Sequence, residues 1–186
     1  MVQTIDRLRQ EHRDLAKLLD ILESELAAFD AADTPDYQVM EAIADYFLGY
    51  PAACHHPKED LVYRALVERR PDVATIVGNI EAEHLGIGEL VKRFVLAVRN
   101  VMRDAEISRD AFDHVVRHFI EEQRKHIDLE EGQLFPLAVE ALTDADWADI
   151  DGRIADRNDP LFGSMPEDRF AALRSDIEAW VGENGE

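Results

Sequence analysis

Residues 55–60 read His-His-Pro-Lys-Glu-Asp, and residues 126–131 read His-Ile-Asp-Leu-Glu-Glu. Each run opens with a histidine, carries a glutamate four residues on, and adds an acidic residue directly after it. Shifting the chain by about 72 residues superimposes the two runs and also lays Gln-Glu-His (10–12) over Ala-Glu-His (82–84). The spacing within each half is nearly constant: His12 precedes His55 by 43 residues, and His84 precedes His126 by 42. An internal repeat of this kind predicts a bundle with two-fold pseudosymmetry and its chemistry near the axis.

Outward from these runs, apolar residues recur every three or four positions, the period of helices with one buried stripe. Ile5, Leu8, His12, Leu15, Leu19, Leu22, Leu26 and Phe29 form the first seam, which breaks at Asp33-Thr-Pro-Asp36. A second helical stretch, about 37–70, places Leu48, Ala52, His55, Glu59, Val62 and Leu66 in one seam. Pro51 and Pro57 lie inside it, and each deletes a backbone donor, so a kink or bulge is expected beside the histidines. A third helix, entered at Pro71, has the seam Val73, Val77, Ile80, His84, Ile87, Val91, Phe94, Val98 and Val101. After an acidic turn near Asp104, Ser108 is the expected N-cap of a fourth. That helix carries Phe112, Val116, Phe119, Gln123, His126, Glu130 and Leu137, with a distortion at Pro136. Strand-like alternation is absent, so the expected fold is all-α: four long helices over residues 1–142. Residues 143–186 form a C-terminal helical appendage packed on that bundle. Thr143 with Asp146 resembles a capping box, residues 158–163 a turn, and Pro166 to Val181 a last amphipathic helix, with Trp147 and Trp180 as anchors.

A length of 186 residues fits a single domain able to bury its own core. Forty acidic against twenty basic side chains give a formal charge of −20, which repels phosphate backbones and anionic lipid headgroups. Neither nucleic acid nor a membrane is therefore expected as a partner. Cys54 is the sole cysteine, so an intramolecular disulfide and a Cys-rich metal site are both excluded. The opening residues MVQTIDRLRQEHRD lack an apolar leader, and no stretch approaches the roughly 20 apolar residues of a membrane span. A cytoplasmic protein is expected.

Six polar residues occupy seam positions where Leu or Ile would be usual: His12, His55, Glu59, His84, His126 and Glu130. Residues four apart on a helix share a face with Cβ atoms about 5–6 Å apart, so each His-x-x-x-Glu pair can grip one ion. Burying carboxylates in an apolar bundle is costly without a neutralising cation. Mixed imidazole and carboxylate ligands suit non-haem iron, and carboxylate-bridged iron pairs are built inside four-helix bundles. Two iron ions are the expected cofactor. His114 and His118, another i, i+4 pair, lie off the seam and read as solvated. Glu122 is a candidate to orient a ligand histidine through a hydrogen bond, and Cys54, Tyr46, Tyr50 and Tyr63 read as packing residues.

The segments Glu11-His12, His55-His-Pro-Lys-Glu-Asp60, Glu83-His84, His126-Ile-Asp-Leu-Glu-Glu131 and Leu134-Phe-Pro136 resemble bacterial hemerythrin-like proteins that carry an HHE cation-binding domain, over about residues 4–140. The resemblance implies an up-down-up-down four-helix bundle around two irons, bridged by two carboxylates and an oxo or hydroxo group. It makes Glu59 and Glu130 the bridges and His12, His55, His84 and His126 terminal ligands. Oxygen carriers of this kind have a fifth histidine, four residues from another on helix three, but Ile80 and Gly88 stand four either side of His84. His56, Glu81 and water are the candidates for that position. The implied function is a di-iron protein that reacts with O2, NO or peroxide as a redox or gas sensor or binder. The alternatives are an oxidase, peroxidase or NO-consuming enzyme on the same centre, or iron storage and delivery.

Overall fold

In the computed structural model, which describes residues 2–103, 105, 107–154 and 158–184, every described regular element is helical. Helix α1 (Gln3–Asp30) buries the whole first seam, His12 included. The chain then turns, and the Asp36 carboxylate accepts the backbone N–H groups of Gln38 and Val39 to start α2 (Tyr37–Tyr50). A single π turn, Pro51–His55, joins α2 to α3 (His56–Arg69). The next seam is broken where a continuous helix was expected. One turn, α4 (Val73–Ile76), ends at Gly78, whose φ of 74° favours glycine, and Asn79 then caps α5 (Ile80–Met102) through the Ala82 N–H. Ser108 caps α6 (Arg109–Leu129) as its sequence position predicts, accepting from the Ala111 N–H at 3.1 Å. The acidic turn expected at Asp104 lies outside the described residues.

A second π turn, Glu130–Leu134, leads into α7 (Phe135–Ala141). Each π turn ends two residues before a proline, Pro57 or Pro136. In a regular helix the proline ring would strike the carbonyl four residues back, and the widened ladder moves that carbonyl away. The extra residue also rotates the register by roughly 100°. For this reason the expected seam residues Leu48 and Ala52 point to solvent, and Phe47, Tyr50, Pro51 and Cys54 are buried instead. Past the second π turn the core is likewise Leu134, Phe135 and Ala138, with Leu137 only partly buried.

Contacts between α1, α2, α5 and α6 close a ring in which each helix touches its two neighbours. The apolar core inside has two lobes. One holds Leu15 to Phe29 of α1 with α2 and most of α5 and α6; the other holds Ile5, Leu8, Val62, Leu66, Ile80, Leu134 and Phe135. On every helix the break between lobes falls at the polar seam residues: His12, the 55–59 run, His84, and Gln123 to Glu130.

The C-terminal segment packs onto this frame. The predicted Thr143–Asp146 capping box is present and starts α8 (Asp144–Arg153), which buries Trp147 and Ile150 with the second lobe. A 3₁₀ turn, Asp168–Phe170, precedes α9 (Ala171–Asn184), and Phe170, Leu173 and Ile177 join the first lobe beside α1 and α2. Tyr46 donates its hydroxyl to Asp159 at 2.8 Å, tying the intervening loop to α2.

Candidate metal centre

Between the two lobes lies a layer of buried polar side chains: His12, His55, His56, Glu59, His84, Gln123, His126 and Glu130. An apolar residue at each such position would contribute about 1.5–3 kcal/mol, so the layer forgoes considerable burial energy. Glu59 and Glu130 have no solvent exposure at all.

The imidazoles meet these two carboxylates through their Nε2 atoms. Glu59 Oε1 lies 3.0 Å from Nε2 of His12 and 3.1 Å from Nε2 of His55, while its Oε2 lies 3.4 Å from Nε2 of His84. Glu130 Oε2 lies 3.3 Å from Nε2 of both His12 and His126, and its Oε1 lies 3.6 Å from Nε2 of His84. Donor atoms within 4.8 Å of one another form two groups: His12, His55 and Glu59, and His56, Glu59, His84 and His126. Glu59 belongs to both.

The outer nitrogen of four of these rings faces a second carboxylate. His55 Nδ1 is 2.8 Å from Glu11, His84 Nδ1 is 2.8 Å from Asp60, His12 Nδ1 is 3.0 Å from Glu131, and His126 Nδ1 is 3.4 Å from Glu83. An Nδ1–H donating outward fixes the tautomer and leaves the Nε2 lone pair for an ion. The pattern follows the sequence repeat. The acid before each first histidine holds the second histidine of its own half, and the acid after each seam glutamate holds the first histidine of the other half. Glu11 also accepts from the Tyr50 hydroxyl at 3.2 Å and from the buried Lys58 ammonium.

Among the described residues, the fully enclosed oxygens Glu59 Oε2, Glu130 Oε1 and Glu130 Oε2 have no hydrogen-bond partner, nor do Nε2 of His84 and His126. Five buried donor atoms converging without partners are what a cation would satisfy. Electrostatics point the same way. Burial opposes a charge on His12, but the nearby Glu130 carboxylate and the bonds to Glu131 and Glu59 outweigh it and hold its pKa up at about 11. Burial is likewise overruled at His84, by Asp60, Glu130 and Glu59, again to about 11. Burial pushes the Glu59 carboxyl up, yet the charge of His55 and the closeness of the His12, His55 and His84 rings keep it well below 4.5. In the protein alone, protons on His12 and His84 balance the buried charge of Glu59; a metal ion would displace them. The donor set fits a metal.

All six predicted seam residues sit in this layer. Of the further candidates, His56 is inside it and Glu81 is not. The π turn rotates the segment so that His56 is buried, its ring stacked on His84 with centroids 4.2 Å apart. Burial, then the neighbouring charge of His84, pushes the His56 pKa well below 6.5, which suits a neutral ligand. Glu81 is partly exposed and accepts from Arg64 Nε at 2.8 Å. The expectation for Glu122 is corrected: it pairs with Lys125 at 2.7 Å, and Glu83 faces His126 instead. His114 and His118 stack on each other at 6.0 Å, outside the layer. The outer roles of Glu11, Asp60, Glu83 and Glu131 went unassigned from sequence, although each adjoins a repeated His or Glu.

A family model for the hemerythrin HHE cation-binding domain matches residues 3–138. No curated protein and no solved structure matches the chain.

Proposed function

We propose a function from the premise that this chain belongs to the hemerythrin HHE cation-binding family, whose model covers most of it. The polar layer is a centre for two iron ions, one held by His12 and His55, the other by His56, His84 and His126, with Glu59 and Glu130 shared. The observation that carries this reading is the sharing itself: Glu59 belongs to both donor groups, and Glu130 Oε2 is equidistant from His12 and His126. Imidazole mixed with carboxylate is the ligand chemistry of non-haem iron. The ring of helices is read as an up-down-up-down bundle over residues 1–142, with 143–186 as its appendage.

When bound, such an ion pair supplies redox chemistry toward O2, NO or peroxide. The chain's own contribution is positional. Outer carboxylates keep each Nε2 aimed inward, and the two apolar lobes shield the layer from bulk water on both sides. His56 brings a fifth imidazole from α3, taking the place that Ile80 and Gly88 leave without a histidine on α5. The physiological role is that of a redox or gas sensor or binder, and sustained turnover with an added reductant would instead mark an enzyme.

Metal content after anaerobic purification, followed by the optical spectrum on admitting oxygen, tests the proposal. Close to two irons per chain are expected, and Glu130→Ala should lose most of one or both. A native content of zero or one, with no spectral change on oxygenation, would overturn the assignment.

A further inference from the structure

A cleft of about 360 Å³ opens between the α2–α3 segment and α5. Buried His56 and His84 line it together with Phe47, Leu48, Ala52, Leu85 and Val91. Its volume is about ten times the roughly 30 Å³ that one water occupies in the liquid. It falls within the range of about 300–1,000 Å³ typical of small-molecule sites. A diatomic gas needs far less.

Three further observations define what would fill it. First, Gly88 lines the cleft in the interior of α5, where glycine is a poor helix former. A Cβ added there meets nothing within 4 Å, so this glycine does not serve close packing and leaves the cleft its width. Second, the charged residues on the lining already have partners: Asp60 with His84 at 2.8 Å, Glu81 with Arg64 at 2.8 Å, and Glu89 with Lys92 at 2.6 Å. No uncommitted charge is left to recognise an ion, while Leu85 and Leu48 expose apolar surface at the cleft, 76% and 41% accessible. Third, His56 is the one imidazole of the layer that no hydrogen bond ties to another described residue, and its ring borders the cleft. A ring with two nitrogens can serve an ion through one and a bound molecule through the other.

We propose that this cleft binds a small uncharged organic molecule, with an apolar body against Phe47, Leu85 and Val91 and one hydrogen-bonding group toward His56. Binding itself does not require the metal. Its consequence, an organic molecule held beside the ions, rests on the iron reading above.

The test uses phenol as probe, with benzoate and benzylamine as charged counterparts of similar size. Each is titrated into the metal-free full chain and followed by amide NMR shifts, and into the iron-loaded chain by calorimetry. Phenol should give saturable shifts centred on Leu85, Gly88 and Val91, and the charged probes should bind at least tenfold more weakly. Gly88→Phe, which fills the cleft, should weaken phenol at least tenfold. Leu85→Glu, at an exposed position that leaves the fold intact, should weaken it several-fold. Shifts that do not saturate or map elsewhere, charged probes as tight as phenol, or both variants binding like the parent would each overturn the proposal. Phenol binding by a chain that takes up no iron would sink the iron reading and leave this one standing; iron uptake without phenol binding would do the reverse.

Discussion

Replacing Glu11 by glutamine removes one carboxylate that serves three partners: His55 Nδ1, the Tyr50 hydroxyl and the Lys58 ammonium. Burial pushes the Glu11 pKa up, but the hydrogen bond from His55 and the charges of His55 and Lys58 overrule it and bring it from 4.5 down to about 2. At about 1.4 kcal/mol per pH unit, that difference corresponds to about 3 kcal/mol of stability in the metal-free protein. Because the folded pKa is the lower one, this contribution is complete above about pH 4.5 and is lost as pH falls toward 2. The amide of the Glu11→Gln variant keeps the shape and one acceptor oxygen but leaves the Lys58 ammonium, whose side chain is only 4% exposed, without its counter-charge. For a chain of this size about 3 kcal/mol lowers the melting temperature by about 6–12 °C. Thermal melts of the metal-free variants at pH 7 provide the assay, with Lys58→Met introduced into the Glu11→Gln background as the control. The double variant should recover part of the loss, since the unpaired buried cation is gone. A single variant melting within a degree of the parent, or a double variant no better than the sum of two independent losses, would refute the reasoning.

Other outcomes follow from the same geometry. Iron should raise the melting temperature, since a ligand at 100 times its Kd stabilises by about 2.7 kcal/mol; equal melts with and without iron would argue against a metal-satisfied layer. His56→Ala should lower iron content toward one per chain and leave the His12–His55 side loaded, as elemental analysis would show; an unchanged content would remove His56 from the ligand set. Gly86→Ala, where an added Cβ meets nothing within 4 Å, should stabilise α5 by about 1 kcal/mol, and a lowered melting temperature would mean the glycine is needed there. The reduced iron protein should oxidise on mixing with oxygenated buffer and be reducible again, whereas oxygen recoverable under vacuum would mark it as a carrier.

Much of the fold was legible because the seams are long and strongly periodic. The α1 stripe, the Ser108 cap and the Thr143–Asp146 box could be read directly, as each depends on residues near one another in sequence. The histidine and glutamate positions were legible because they break those stripes at repeated intervals. The prolines announced distortion, but not that the helix would widen by one residue rather than kink. That one-residue difference hid the exposure of Leu48 and Ala52 and left His56 one of three candidates for the fifth position. Gly78 was missed because the apolar rhythm of Val73, Val77 and Ile80 runs unbroken across it. The outer carboxylates were invisible for another reason: an acid beside a histidine in sequence says nothing of which ring it will reach.

The crossed pattern of those outer carboxylates has a bearing on alignment. Apolar seams of leucines and phenylalanines would pack almost as well if one helix slid along its neighbour by a turn. The layer would not. His12 needs Glu131 and His84 needs Asp60, so the first histidine of each half is held from the opposite half. A slip of about 5.4 Å in any one of the four helices would part at least one such couple and leave its buried histidine without that carboxylate. The layer thus acts as a register pin, and it admits one vertical setting of the helices where the hydrophobic lobes by themselves would accept several.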